Sequence, residues 1–285
     1  MTRLRMGLVG GGDGAFIGAV HRMAAELDGR IELVCGAFSS DPSRSKRYGQ
    51  ELYDLPPSRS YGTFTEMVTE ETKLPAQQRM HFVVIATPNH LHYPVAEATL
   101  QAGFHVMSDK PVTFDLHEAK ILRALAAEKN LLFGLTHNYT GYPMVKEARQ
   151  LIKTGALGSI RRVIVEYIQG WLSERLETQG NKQARWRTDP KFSGSAGCMG
   201  DIGTHGENLL EYVTGLEIHS LCADLTTFVP GRLLEDDGNV LLRFSNGARG
   251  VLLASQIGVG EENGLKLRVY GERASLEWVQ TEPNS

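Results

Sequence analysis

The feature that most constrains the fold is a glycine-rich loop between a short strand and a helix at the start of the chain. Residues 4–9 form an apolar run typical of a strand, residues 10–18 contain five glycines, and a helical pattern runs from about residue 19 to residue 27. Glycines in this setting let backbone N–H groups approach a pyrophosphate at the helix N-terminus. This order predicts dinucleotide binding, with cofactor contacts from Gly10, Gly12, Asp13, Ala15, Phe16 and Ile17.

The rest of the first half alternates predicted strands with helices. Apolar runs at residues 31–38, 81–86, 103–107 and 131–135 predict strands, and residues 116–130 carry helical spacing. The almost continuously apolar run at 81–86 is typical of a central strand that is buried on both faces. We therefore predict an N-terminal Rossmann domain over residues 1–136.

The end of the second predicted strand bears on which nucleotide binds. An NAD site typically has a carboxylate there, whereas this chain has Ser39 and Ser40, followed by cations of which Arg44 is the first. Hydroxyls and an arginine suit a 2′-phosphate, which arginine can bond bidentately. The pattern favours NADP. Asp41 is the counter-argument, although Asp before Pro and Ser is more typical of a helix N-cap.

Polar residues also follow the third and fourth predicted strands, at the sheet edge where open parallel sheets bind ligands. The candidates are Thr87, Pro88, Asn89 and His92 after the third strand, and Asp109 and Lys110 after the fourth. Proline at position 111 biases Lys110 away from helical geometry. The alternative is that Lys110 is a surface lysine in a turn.

The pattern changes in the second half of the chain. A predicted helix over 143–154 is followed by six runs with strand-like alternation, two of them joined by the hairpin signal Asn246-Gly247. We predict an α+β domain over residues 137–285, with a largely antiparallel sheet covered on one face by helices. This domain would bind substrate and form oligomers.

Asp201 and His205 are the strongest candidates for chemistry in this half. They are four residues apart on one predicted helix and share a face, and histidine titrates near neutrality. A carboxylate and an imidazole so placed can bind a polyol and move a proton. The alternative is a helix cap with a structural histidine. A nearby cluster could line a sugar pocket or form a loop rim, and we favour the rim for Trp171, Trp186, Lys182, Arg185 and Arg187.

The composition indicates which classes of binding partner the chain can have. The formal net charge is −3 with interspersed signs, which disfavours nucleic acid or a membrane surface as the main partner. The three cysteines lack metal-ligand spacing, and no apolar run reaches 18 residues. We expect a cytoplasmic protein with a small-molecule substrate and no bound metal.

Taken in order, these motifs resemble the Gfo/Idh/MocA oxidoreductase family over essentially the whole chain. The resemblance is carried by the glycine loop with Gly18-Ala19-Val20-His21, by Thr87-Pro88-Asn89 with His92, by Asp109-Lys110-Pro111, and by Asp201-Ile202-Gly203-Thr204-His205.

The resemblance implies an NAD(P)-dependent dehydrogenase or reductase that acts on a sugar, an inositol or a related polyol. By analogy, Lys110 bonds the reacting oxygen and orients the nicotinamide, and His205 is the acid or base. Asp201 holds the substrate and His205, and Tyr139 contacts the substrate. The resemblance also implies a homodimer or homotetramer formed through the C-terminal sheet.

The chain departs from the family pattern in three places. Asp109 stands where the family usually has glutamate, five residues separate Gly12 from Gly18 where two are more usual, and the chain ends at residue 285 soon after a strand. The end of the chain so soon after a strand predicts a C-terminally truncated form. Two other function classes stay open, namely a non-catalytic NAD(P)-binding regulator and an NAD-using glycosidase of similar fold.

Overall fold

The computed structural model describes residues 3–285, which divide into two compact units between Thr136 and His137. The strands of the first unit are β1 (Leu4–Gly10), β2 (Ile31–Ala37), β3 (Phe82–Ala86), β4 (His105–Ser108) and β5 (Phe133–Leu135). Its helices are α1 (Ile17–Glu26), α2 (Pro42–Tyr53), α3 (Phe64–Lys73), α4 (His92–Gln101) and α5 (Leu116–Glu128).

The sheet of the first unit is parallel throughout, with the strand order β2-β1-β3-β4-β5. The order reverses direction between β1 and β3, so this edge is the switch point at which doubly wound sheets bind ligands. Strand β3 is central, and Val83 and Ile85 in it are fully buried. The predicted Rossmann fold is confirmed.

Side-chain caps fix where three of these helices begin. Asp41, Thr63 and Asp115 each accept a hydrogen bond from the backbone N–H three residues later, at the starts of α2, α3 and α5. Each cap satisfies an N–H group that has no partner inside the helix. The interpretation of Asp41 as an N-cap is therefore correct.

The strands of the second unit are β6 (Ile160–Ile168), β7 (Ile218–Thr226), β8 (Asp237–Phe244), β9 (Arg249–Ser255), β10 (Gly264–Gly271) and β11 (Ser275–Val279). Its helices are α6 (Pro143–Lys153), α7 (Lys182–Arg187), α8 (Pro190–Ser193) and α9 (Thr204–Thr214). The core lies between the sheet and helices α6 and α9, and Val163, Val165, Leu209 and Leu210 are fully buried there.

The sheet of the second unit has the order β11-β10-β6-β9-β8-β7 and is mixed rather than wholly antiparallel. Strands β6 and β9 pair in parallel at its centre, and all the other pairs are antiparallel. Alternation of apolar and polar residues shows that a segment is a strand but not which strand lies beside it. The expectation of a largely antiparallel sheet is confirmed with this one parallel pair added.

The segment that carries Asp201 is a π-helical turn, Met199–Gly203, rather than the regular helix expected from the sequence. The Glu235 carboxylate accepts hydrogen bonds from the N–H groups of Gly197, at 2.7 Å, and Met199, at 3.1 Å. A Cβ at Gly197 would lie 2.0 Å from the Glu235 carbonyl oxygen, so glycine is required for this approach. Glu235 thereby fixes the start of the segment.

Within residues 3–285, the helices are all too short or too polar to cross a bilayer.

Candidate active site

The glycine loop of the first unit packs against neighbouring backbone more closely than residues with side chains could. Gly10 and Gly11 have φ angles of +98° and +78°, which disfavour residues with a side chain. A Cβ at Gly10 would lie 2.4 Å from the Ala86 carbonyl oxygen, and one at Gly18 would lie 2.4 Å from the Gly11 Cα. The loop therefore lies directly against β3 and against the first turn of α1.

The residues between Gly12 and α1 form a turn in which the Ala15 N–H bonds the Gly12 carbonyl at 2.9 Å. The Tyr53 hydroxyl anchors the loop by donating to the Gly11 carbonyl at 2.6 Å. Phe16 is the N-cap of α1 and provides no side-chain cap, and Ile17 begins the helix. The first N–H groups of α1 thus lie beside the loop without an N-cap side chain, an arrangement that suits a phosphate.

The end of β2 carries the residues predicted to select the nucleotide. Ser39, Ser40 and Arg44 have solvent-accessible side chains, and the Ser39 hydroxyl accepts from the Asp41 N–H at 3.2 Å. The Asp41 carboxylate bonds the Arg44 N–H at 2.8 Å. The Asp41 carboxylate, which follows this strand end in the sequence, is therefore engaged in capping α2.

Thr87 follows β3 directly beside the glycine loop, because Gly10 pairs with Ala86 in the sheet. Its hydroxyl oxygen is buried and has no hydrogen-bond partner among residues 3–285. A buried hydroxyl without a partner costs free energy, so a bound group that bonds it would stabilise this edge. Together with the glycine cradle, this shows that the residues present fit a dinucleotide.

His92 connects the loops after β3 and β4. It is almost fully buried, with one ring nitrogen 2.6 Å from the Pro111 carbonyl oxygen and the other 3.0 Å from the Thr87 carbonyl oxygen. Burial lowers the His92 pKa, and the two carbonyl contacts oppose that effect. Both ring nitrogens therefore face protein carbonyls, and the direct cofactor contact of His92 stays a prediction.

Asp109 and Lys110 follow β4 at the same sheet edge. The Asp109 N–H donates to the Ile85 carbonyl at 3.0 Å, and Oδ2 of Asp109 lies 3.8 Å from Nε2 of His21 on α1. The peptide bond between Lys110 and Pro111 is cis. The structure thus brings the predicted residues of the first unit to one edge of its sheet.

In the second unit, two side chains hold Asp201. Oδ2 of Asp201 accepts from Nε of Arg187 at 3.1 Å and from Nε2 of Gln256 at 2.8 Å. Gln256 is buried, and both donors lie far from Asp201 in sequence. The guanidinium donor is charged, whereas the Gln256 amide donor is neutral, so the pair with Arg187 is also an ion pair.

The interpretation of Arg187 as part of a loop rim is wrong. Its guanidinium lies 4.1 Å from the Trp186 ring centroid and donates to the Gln183 side chain at 2.7 Å while it pairs with Asp201. The planar guanidinium can stack and bond in its plane at once. Arg187 is therefore a fixed member of the Asp201 site.

His205 lies on the first turn of α9 and is largely buried. The edges and faces of three aromatic rings surround it, with centroid distances of 5.0 Å to Tyr139, 5.6 Å to His137 and 6.2 Å to Tyr167. The Tyr139 hydroxyl contacts the Tyr167 hydroxyl at 2.6 Å and accepts from Asn263 at 3.2 Å. The Tyr139 hydroxyl therefore bonds other protein side chains, which the sequence analysis did not predict. The predicted contact of Tyr139 with substrate stays a prediction.

The sequence analysis did not predict that Gln256 bonds Asp201 or that His137 lies beside His205, and it placed Arg187 in a loop rim rather than at Asp201. Gln256 is the first residue after β9, so a polar residue that ends an apolar strand was its one signal. Within residues 3–285, no group of three His, Cys, Asp or Glu side chains is arranged to hold a metal ion.

Comparison with known proteins agrees with this architecture. The family model described as "Oxidoreductase family, NAD-binding Rossmann fold" matches residues 4–137, and the model described as "GFO/IDH/MocA C-terminal domain" matches residues 145–277.

Solved structures and curated proteins extend the likeness. An inositol dehydrogenase homolog from Azotobacter vinelandii, in complex with NAD+, superposes with a TM-score of 0.95 at 37% identity, over 99% of this chain and 72% of that one. An oxidoreductase from Sinorhizobium meliloti superposes with a TM-score of 0.88 at 48% identity, over 100% of this chain and 74% of that one. Levoglucosan dehydrogenase of Pseudarthrobacter phenanthrenivorans is 28% identical over 97% of this chain and 73% of its own length.

The chain therefore belongs to the GFO/IDH/MocA oxidoreductase family, as the motifs predicted. It is an NAD(P)-dependent dehydrogenase acting on CH–OH groups, with NAD binding assigned to its Rossmann unit.

Proposed function

We propose that the enzyme transfers a hydride between NAD(P) and a carbinol or carbonyl carbon of an inositol, a sugar or a related polyol. The observation that carries the proposal is the Asp201 carboxylate, held by Arg187 and Gln256 one turn before the buried His205. The names of the relatives support it, since one is an inositol dehydrogenase homolog and another a levoglucosan dehydrogenase.

The chemistry explains why these residue types are needed. The nicotinamide, when bound, supplies the hydride acceptor or donor. A carbinol carbon loses hydride only as its hydroxyl proton is removed, so a base must reach that oxygen while a cation stabilises the developing charge. We assign His205 as the base and Lys110 as the cation, and Asp201 orients the substrate hydroxyls by accepting hydrogen bonds.

For the cofactor, we propose that the glycine loop and the α1 N-terminus hold the pyrophosphate and that Thr87 bonds the nucleotide. His92 would act indirectly, by holding the loops after β3 and β4 at a fixed separation.

We further propose a preference for NADP. Ser39, Ser40 and Arg44 support it, because their side chains are accessible while Asp41 is engaged as a cap. Calorimetry with NAD+ and NADP+ on the wild type and Arg44→Ala tests this preference. We expect Arg44→Ala to weaken NADP+ binding by about 1–3 kcal/mol and to leave NAD+ binding unchanged. Equal losses for both nucleotides would contradict the 2′-phosphate assignment.

We also propose that copies of the chain pair through the open face of the second sheet. The strand registers place Cys222, Leu241, Val251 and Ile164 in one row across that face. Leu241 is 62% exposed, and an exposed apolar row is typical of a binding surface. Light scattering on Leu241→Asp should show a smaller species than the wild type, and an unchanged mass would contradict this surface.

Turnover with NAD+ and NADP+ against myo-inositol, scyllo-inositol, glucose and levoglucosan tests the enzyme assignment. We expect Lys110→Ala and His205→Asn to lower kcat by about 100-fold or more, while the exposed controls Lys120→Ala and His219→Asn keep wild-type rates. Nucleotide binding without turnover of any polyol would favour a regulatory protein. Cleavage of a glycoside without net cofactor turnover would favour the glycosidase alternative.

A further inference from the structure

Three polar side chains in the second unit form a closed ring of hydrogen bonds next to His205. The Tyr139 and Tyr167 hydroxyl oxygens are 2.6 Å apart. The Tyr167 hydroxyl donates to Oδ1 of Asn263 at 2.5 Å, and Nδ2 of Asn263 donates to the Tyr139 hydroxyl at 3.2 Å. Each member thus contacts both of the others.

The direction of every bond in this ring is determined. The amide oxygen of Asn263 can only accept, so the single proton of Tyr167 points to it. Tyr167 must then accept from Tyr139 across the 2.6 Å contact. Tyr139 accepts in turn from the Asn263 amide, so neither hydroxyl retains a proton for an outside partner.

The ring joins segments that are far apart in sequence. Tyr139 precedes α6, Tyr167 lies on β6, and Asn263 immediately precedes β10. Gln169 extends the network, since its Nε2 donates to Oδ1 of Asn263 at 3.0 Å and its Oε1 accepts from the Trp171 indole at 3.1 Å. Nε2 of Gln169 also donates to the Tyr167 hydroxyl at 3.4 Å, so Asn263 and Tyr167 each bond three side chains of the network.

The ring determines the surroundings of the His205 imidazole. The Tyr139 ring meets it edge-on, with an interplanar angle of 87°, and the Tyr167 ring is tilted by 54°. Burial and the neighbouring Tyr139 raise the pKa of Tyr167 far above its ordinary value, so it stays a neutral phenol. The rings of Tyr139 and Tyr167 therefore contact His205 as aromatic neighbours, and Tyr167 stays uncharged beside it.

We infer that Asn263 is a positioning residue that sets the orientation of His205 through Tyr139 and Tyr167. The inference rests on the proposed function only in naming His205 as the proton acceptor. The imidazole must meet the substrate hydroxyl at a defined angle, and a small misplacement of a catalytic group lowers the rate steeply. Losing the Asn263 amide opens the ring, because it removes the acceptor of the Tyr167 proton and the donor to the Tyr139 hydroxyl.

The test compares Asn263→Leu with Asn284→Leu, which makes the same change at an exposed position of the same unit. Histidine labelled with nitrogen-15 reports the tautomer and titration of His205 in the full chain, with His205→Asn used to assign the signals. The titratable groups near His205 include His137, Tyr139 and Tyr167 in ring contact, Asp201 one turn earlier, and Glu207 two residues later on α9.

We expect Asn263→Leu to shift the His205 signals, to displace the pH dependence of kcat/KM, and to lower kcat/KM about 10- to 100-fold with nucleotide affinity unchanged. Asn284→Leu should match the wild type in each measurement. A folded Asn263→Leu chain with wild-type His205 signals overturns the inference.

If Asn263→Leu does not fold, Tyr167→Phe is the second test variant, because it removes one hydroxyl of the ring of hydrogen bonds and keeps the aromatic side chain beside His205. The same shift of the His205 signals is expected, and its absence overturns the inference. A wild type that turns over no polyol would refute the proposed function, and the His205 signals would still decide the positioning role.

Discussion

Replacing Glu207 by glutamine should stabilise the protein above neutral pH and have little effect in acid. Glu207 lies on α9, two residues after His205, and its pKa is raised to about 7 by burial and then by the neighbouring Glu211 carboxyl. Glutamine keeps the shape of the side chain and can donate to Glu211 at every pH. It removes the charge that the folded chain disfavours.

The direction of this pH effect on stability follows from how many protons Glu207 binds in the folded and in the unfolded chain. The folded chain holds the Glu207 proton up to about pH 7, whereas the unfolded chain releases it near the ordinary value of 4.5. Stability from this group is therefore full below pH 4.5 and is lost as the pH rises toward 7. The full cost above pH 7 is at most about 3.5 kcal/mol, since the pKa values of about 7 and 4.5 differ by about 2.5 and one pKa unit corresponds to about 1.4 kcal/mol. Because Glu207 is only partly buried, solvent screening reduces the expected cost to about 1 kcal/mol.

Urea unfolding followed by circular dichroism at pH 4.5, 6 and 8 measures this effect. We expect the free energy of unfolding of Glu207→Gln to exceed that of the wild type by about 1 kcal/mol more at pH 8 than at pH 4.5. Glu147→Gln, at an exposed position on α6 of the same unit, is the matched control. A stability difference that stays constant with pH, or falls as the pH rises, would refute the reasoning.

Three further changes test the sites directly. Gly12→Ala places a Cβ 2.3 Å from the Phe38 carbonyl oxygen, so we expect at least about tenfold weaker nucleotide binding in calorimetry, and wild-type affinity would contradict the cradle. Asp41→Ala removes the cap of α2 and should cost about 1 kcal/mol in thermal unfolding, and no loss would show that the cap contributes nothing. Arg187→Lys cannot bond Asp201 and stack at once, so kcat/KM should fall about tenfold or more, and an unchanged rate would show that the pair of Arg187 and Asp201 does not support turnover.

Much of the first unit could be predicted from the sequence because its signals are local. A strand, a loop segment with five glycines and a helix lie within the first 27 residues, and the structure shows that loop against β3. Thr87 and Lys110 could be placed at one edge because the carboxyl ends of parallel strands meet there. The capping role of Asp41 was also local, since it bonds an N–H three residues away.

His92 shows where local reasoning stopped in that unit. Its position after β3 indicated the correct sheet edge, but its two contacts are with the carbonyls of Thr87 and Pro111. The second of these lies 19 residues away in sequence. Whether a side chain points toward a ligand or between two loops depends on how the loops pack.

The sequence by itself determined the family, the order of the strands along the chain, and which residue types could carry hydride and proton chemistry, because periodicity and motif spacing are properties of neighbouring residues. Only the tertiary structure decided that β6 and β9 pair in parallel, that Arg187 and Gln256 hold Asp201, and that Asn263 joins two tyrosines beside His205. These contacts join residues between 14 and 124 positions apart. Strand order and register bring such residues together, and no local pattern in the chain encodes either.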